Sequence, residues 1–203
     1  MFIGTKVVVG SLVPDDYVAM YCWANDVAAA RLDSAFRPVN LKDLINWCET
    51  AGKDPTRIIL SIRQRSDSKI IGYLHIHNVN AVHRSADIGI RIGEERHRGQ
   101  GYGKEALAIG LDYCWNHLNL QRVGLVVFRN NARAINAYRA VGFRKEGLLK
   151  RLFFIDGAWV DVLVMAAFRP TRKRTRTVHA APSLAGPSVA VAGDSAGSHS
   201  EAA

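Results

Sequence analysis

The stretch Arg98-Gly99-Gln100-Gly101-Tyr102-Gly103-Lys104 carries the densest chemical signal in this chain, because it joins an apolar run, Ile88 to Ile92, to an amphipathic run from Ala106 to Leu118. The spacing predicts a strand that turns into a helix through three glycines in five residues. The first turn of a helix has backbone N–H groups without intrahelical partners, and the aligned peptide dipoles place partial positive charge there. Glycines admit positive φ and let a backbone approach an anion closely. The chemistry to expect is capture of a pyrophosphate by main-chain donors, with Arg98 or Lys104 adding charge. Two common phosphate motifs are excluded. Lys104 is followed by Glu105, so there is no hydroxyl for a magnesium ion. Gly99, Gly101 and Gly103 are too closely spaced for a dinucleotide fingerprint, which also needs an acidic residue about 20 positions on.

A second segment lies downstream. Asn131-Ala132-Arg133-Ala134-Ile135-Asn136-Ala137-Tyr138-Arg139-Ala140-Val141-Gly142-Phe143 follows the apolar strand Val123 to Phe128 and reads as a short helix closed by Gly142 in a left-handed conformation. Tyr138 on that helix is either a half-buried packing residue or a hydroxyl offered to a site. Together the two segments resemble the GCN5-related N-acetyltransferases. Arg98, Gly101 and Gly103 match that family's Arg/Gln-x-x-Gly-x-Gly/Ala signature, and Asn131, Ala134, Tyr138, Gly142 and Phe143 match its second motif. The resemblance covers about residues 5 to 168. Trp23-Ala24-Asn25-Asp26, Ala86-Asp87-Ile88-Gly89, Phe143 to Gly147 and Asp156 to Asp161 look like the branch containing ribosomal-protein N-terminal and spermidine N-acetyltransferases.

The resemblance implies acetyl-CoA as co-substrate, with its pyrophosphate and pantetheine arm on Arg98, Gly99, Gln100, Gly101, Tyr102, Gly103 and Lys104. It also implies that Asn131 hydrogen-bonds the pantetheine and that Tyr138 stands near the thioester sulfur as general acid. Acetyl transfer to an amine further needs a donor for the developing oxyanion and a route for the amine proton. A splayed strand leaves amides unpaired, so the backbone at Ile90 and Ile92 is the candidate oxyanion donor. Asp87, on the strand beside the cleft, is the first candidate for base, acting through water; the alternative is a polar residue at a strand start with a backbone partner. Glu94 and Glu95 read as solvated. His75 and His77 share one strand face but lack further metal ligands, so no metal is expected; either could line the acceptor cleft.

Positioning these residues requires an α/β (α+β) arrangement. Lys6 to Leu12 reads as a first strand, Asp15 to Arg31 and Leu41 to Ala51 as helices on the acceptor side, and Arg57 to Arg65 with Lys69 to Val79 as a hairpin about Ser66-Asp67-Ser68. Ser85 to Ile92 leads into the phosphate turn, and Gln121 to Phe128, Phe143 to Phe154 and Ala158 to Phe168 supply the remaining strands. The expected result is a mixed, mainly antiparallel sheet flanked by helices, and the resemblance implies that it splays between the strand before the turn and the strand before Asn131.

At 203 residues and 48% hydrophobic, the chain can bury a sizeable core in one domain, residues 1–170. No run approaches the roughly 18 apolar residues that span a bilayer. The N-terminus lacks a basic region ahead of an apolar stretch, so a cytoplasmic protein without membrane contact is expected. Cys22, Cys48 and Cys114 fall on apolar faces of expected helices and read as reduced core residues. Residues 171–203 turn basic and then Ala/Gly/Ser/Pro-rich, which reads as a disordered tail. Of the net +9, the tail holds four basic and two acidic residues, leaving +7 on residues 1–170. The expected partners are a small-molecule amine or a protein N-terminus, with a weak contact between the basic tail and RNA or ribosomes, and a homodimer as an open alternative. A polyamine should be attracted less by so cationic a protein. The reading from another class is a catalytically silent acyl-CoA-binding or RNA-associated module that keeps the fold; retention of Asn131 and Tyr138 favours the enzyme.

Overall fold

Strands β1 (Phe2–Ile3), β2 (Val7–Ser11), β3 (Ile58–Gln64), β4 (Ile70–Asn80), β5 (Ser85–Ile92), β6 (Arg122–Phe128), β7 (Arg144–Ile155) and β8 (Ala158–Phe168) form one sheet in the order β1-β2-β3-β4-β5-β6-β8-β7. The computed structural model describes residues 1–32 and 34–171; the expected tail lies outside them. The pairing is antiparallel throughout, except that β5 and β6 run parallel. A parallel neighbour requires a crossover, and helix α4 (Tyr102–Asn116) supplies it. Its apolar positions Ala106, Leu107, Leu111 and Cys114 recur at helical spacing and bury against Leu74, Ile76 and Ile88 of the sheet. Each fully buried Leu or Ile contributes roughly 1.5–3 kcal/mol. Burial pushes the Cys114 thiol up to about 12, as suits an inert core cysteine.

Because side chains alternate along a strand, β5 presents Ala86 and Ile88 to α4 and turns Asp87, Gly89 and Arg91 to the opposite face. Helices α1 (Asp16–Ala24), α2 (Val27–Ala30) and α3 (Leu41–Lys53) belong to the N-terminal half. A second cluster, Met20, Trp23, Leu44 and Cys48 with Tyr73 and Trp47 against it, packs α1 and α3 together. Asp16, buried at the start of α1, receives both contacts of the Arg63 guanidinium at 2.7 and 2.8 Å, which pins that helix to β3.

Several boundaries differ from expectation. The single helix expected over Asp15 to Arg31 is two helices, because the Asp26 carboxylate accepts from the Ala28 and Ala29 amides and starts α2 afresh. The Asn25 amide meanwhile bonds both ways with the Val39 backbone and ends α1. Helix α4 begins at Tyr102, four residues ahead of the apolar periodicity. Cys22 is exposed on α1 instead of lying in the core. β1 is an additional strand, paired with β2.

Candidate active site

Strands β5 and β6 are joined by a short parallel ladder, Ser85 with Arg122, Ala86 with Val123 and Asp87 with Gly124, and no pairing continues beyond it. Past that point they diverge around a cleft of about 410 Å³. The Gly93 amide donates to the Ile71 carbonyl at 2.9 Å, and the register sets Ile92 opposite Gly72 and Ile90 opposite Leu74. Alternate residues of an antiparallel ladder direct their amides to opposite sides. The N–H groups of Ile90 and Ile92 therefore face away from β4, toward the gap.

The phosphate turn closes one end of this cleft. Gly101 adopts φ 87° and ψ −8° and caps α4 without any side-chain hydrogen bond, so the first-turn amides of α4 lack an intrahelical acceptor. Arg98 bonds the ends of β5, with Nε donating to the Ile92 carbonyl at 3.1 Å and Nη2 to the Gly93 carbonyl at 2.6 Å. It thereby organises the turn as well as charging it. Arg98, Gly99, Gly101, Gly103 and Lys104 line the cleft. Gln100 and Tyr102 do not: the Gln100 carbonyl accepts from Lys6 Nζ, and the Tyr102 ring meets His97 edge-on at 6.3 Å.

Helix α5 (Ala132–Ala140) forms the far wall. Asn131 caps it, its Oδ1 accepting from the Ala134 amide while its Nδ2 donates to the Leu32 carbonyl, both at 3.1 Å. It thus lines the cleft and ties α5 to the segment after α2. Tyr138 lines the cleft at 7% exposure, with Phe143 edge-on at 5.8 Å. Gly142 closes the helix at φ 103°, the left-handed conformation expected of it.

Asp87 is not brought into the cleft. It sits at the last rung of the β5–β6 ladder on the opposite sheet face, where its carboxylate accepts from Asn78 Nδ2 at 2.9 Å. A Cβ at Gly124 would lie 2.6 Å from Asp87 Oδ1, so that glycine is what lets the carboxylate occupy its place between the strands. His75 and His77, opposite Gly89 and Asp87 in the register, stack at 4.7 Å, and Trp47 meets His75 edge-on. Burial, then the neighbouring His77 and Arg57, push His75 down to about 4. Ala29, Leu32, Val126, Phe128, Phe153 and Val162 give the cleft an apolar part of its lining. Among the described residues no group of three His, Cys, Asp or Glu side chains could hold a metal ion, and no helix is long and apolar enough to cross a membrane.

The model of the acetyltransferase (GNAT) domain family matches residues 7–144. The chain belongs to the GNAT acetyltransferases. Similar curated proteins include the spermidine N(1)-acetyltransferases of Vibrio cholerae, 36% identical over 97 residues, and of Escherichia coli, 35% over 103. These matches cover 48% and 51% of this chain and 56% and 55% of those proteins, so the chain spans about half the length of these relatives. An uncharacterized N-acetyltransferase of Bacillus subtilis, YoaA, is 25% identical over 169 residues, 81% of this chain and 94% of that protein. The structure of Vibrio cholerae spermidine N-acetyltransferase in complex with CoA and spermine shares the fold, with a TM-score of 0.75 at 24% identity over 81% of this chain and 96% of that one.

Several cleft residues of this GNAT domain escape a sequence reading. Arg133, Ala137 and Ala140 line the cleft with Asn136, and the helical spacing of positions 133, 137 and 140 could have marked that face. His97 sits beside the turn with its Nδ1 buried and without a hydrogen-bond partner. Leu32 and Phe153 come from segments far from either motif, and no local signal places them here.

Proposed function

We propose that this GNAT domain is an acetyl-CoA-dependent N-acetyltransferase that moves an acetyl group to a primary amine by direct transfer in a ternary complex. The observation that carries the reading is the open gap between β5 and β6, with the uncapped start of α4 at one end and Asn131 and Tyr138 along its wall. The turn offers donors to a pyrophosphate, and the described lining contains Arg98, Lys104 and Arg133 but no carboxylate to repel one. Ile90 and Ile92 amides facing the gap suit a developing oxyanion. Tyr138 protonates the departing thiolate, and Asp87 accepts the amine proton through water across the strand gap. Asn131 holds the pantetheine arm.

The relatives' names put polyamines among the candidate acceptors, and the lining argues for a different one. A polyamine carries several positive charges, whereas the described lining holds Arg98, Lys104 and Arg133 and no carboxylate, and Asp156 and Asp161 are already engaged by Arg31 and Arg129. An amine with a single charge and an apolar neighbour, on a small molecule or a protein N-terminus, fits better. For a ribosomal protein N-terminus, the basic segment 171–176 would add a weak, salt-sensitive attraction to RNA. We place the protein in the cytoplasm, where acetyl-CoA and such acceptors occur together. Thiol release from acetyl-CoA over a panel of spermidine, amino-acid amides and N-terminal peptides tests the reading. Release is expected with at least one amine, fastest with apolar-flanked ones; none across the panel would refute it.

A further inference from the structure

The segment Gly4-Thr5-Lys6, ahead of β2, lies against the start of α4 although some hundred residues separate them in sequence. Glu105, in the first turn of α4, is the hub of the contact. Its carboxylate accepts the Thr5 amide, the Thr5 hydroxyl at 2.8 Å and the Lys6 amide at 2.9 Å. Burial alone would raise the Glu105 carboxyl, but the Thr5 hydroxyl and the Thr5, Lys6 and Val7 amides outweigh it and hold it below its ordinary value. From the same strap, Lys6 Nζ donates to the Gln100 carbonyl at 2.9 Å, and Arg65 Nη1 fixes the Gly4 carbonyl at 2.8 Å.

The consequence for the turn follows from peptide geometry. A trans peptide is planar, so its C=O and N–H point to opposite sides. Tying the Gln100 carbonyl to Lys6 on the strap side directs the Gly101 N–H the other way. It also keeps a carbonyl dipole from facing an incoming anion. A carboxylate one turn from a phosphate would otherwise repel it; at Glu105 that charge is spent on donors from the strap.

We infer that the Gly4–Lys6 strap is part of the anion site, with Glu105 and Lys6 as positioning residues that hold the phosphate turn in its donor-out conformation for a pyrophosphate-bearing ligand. This rests on the acetyl-CoA reading above. The strap acts only through the turn, so its loss weakens binding of acetyl-CoA far more than binding of acetyl-pantetheine, which has the thioester arm but no pyrophosphate.

The test is calorimetric titration of the full chain with acetyl-CoA and with acetyl-pantetheine, for wild type, Lys6→Met and Glu105→Gln. Each variant should weaken acetyl-CoA about tenfold, the scale of one charge-assisted hydrogen bond, and narrow the ratio of the two dissociation constants by about the same factor. Thr5→Ala, which removes only the hydroxyl donor to Glu105, should narrow it about threefold and keeps the test readable should a charge variant misfold. Equal weakening of both ligands would mean general loosening and overturn the inference. Tighter acetyl-CoA binding by Glu105→Gln would also overturn it, since repulsion would then outweigh positioning. A wild type that binds acetyl-CoA while every variant keeps the wild-type ratio overturns this inference alone; a wild type that binds no acetyl-CoA overturns the acetyl-transfer reading as well.

Discussion

Adding a side chain at Gly101 and at Gly103 should have opposite consequences, though the two are neighbours in the same turn. A Cβ at Gly101 would meet only Lys6 Nζ at 3.3 Å, the end of a flexible side chain, so space is not the obstacle. The dihedral is: at φ 87° a residue other than glycine costs roughly 1–2 kcal/mol, and a β-branched one more. Gly101→Val is therefore expected to release the strain by returning to negative φ, which swings the adjoining amides off the anion. Losing even one such bond to a charged ligand costs about 1.5 kcal/mol or more, and about 1.4 kcal/mol is tenfold in affinity. The acetyl-CoA dissociation constant should rise at least tenfold by calorimetry with the circular-dichroism spectrum intact. At Gly103, inside α4, a Cβ would sit 3.5 Å from Ile92 Cγ1 and 3.7 Å from Ile90 Cδ1, ordinary contact distances. Alanine is favoured over glycine in a helix by about 1 kcal/mol. Gly103→Ala should keep acetyl-CoA affinity within about threefold and raise the melting temperature by about 2–4 °C. Wild-type binding by Gly101→Val, or an equal loss from both variants, would refute the assignment of the turn.

Tyr138→Phe removes one hydroxyl and little volume, so turnover should fall about 10²-fold with acetyl-CoA affinity nearly kept; turnover within twofold of wild type would return Tyr138 to packing. Asp87→Asn should lower turnover by a similar factor, about 10²-fold, at unchanged acetyl-CoA affinity, and a fully active variant would remove Asp87 from the proton route. His75, held down at about 4 against an ordinary 6.5, binds a proton more readily when unfolded. Between those values the unfolded chain takes up a proton that the native one does not, so stability falls as pH drops through the window. Thermal melts should show that slope reduced in His75→Phe, and equal slopes would show that another group sets it.

What the sequence made legible was whatever rests on periodicity and turn chemistry. β5, the turn and α4 follow from the Ile88, Ile90, Ile92 alternation and the glycines, and α5 with its Gly142 terminus follows from helical spacing. The misplaced boundaries are those decided by single side chains. Asp26 could equally be a mid-helix acid or a cap, and only its bonds to Ala28 and Ala29 distinguish the two. Arg98 reads as charge for a phosphate, yet its guanidinium is tied to two β5 carbonyls. Lys6 and Glu105 were invisible because no local pattern links residues 99 apart. Asp87 lies on β5, as its place in the Ser85 to Ile92 run implies, but its position relative to the cleft depends on which rung the splay begins at, and that depends on how two strands from different parts of the chain pair.

That rung also sets an engineering limit. The two halves of the sheet, β1 to β5 and β6 with β8 and β7, are fastened by a zipper only three teeth long. Every further tooth would satisfy more backbone groups and stiffen the molecule, but it would recruit the amides of Ile90 and Ile92 and shut the gap in which the proposed chemistry takes place. Stability and ligand capacity here draw on the same main-chain donors, which is the form a stability–activity trade-off takes when it is written in backbone instead of side chains. Variants selected for heat resistance alone would be expected to drift toward a closed seam, and a bound ligand arm would do in the working protein what the missing teeth do not.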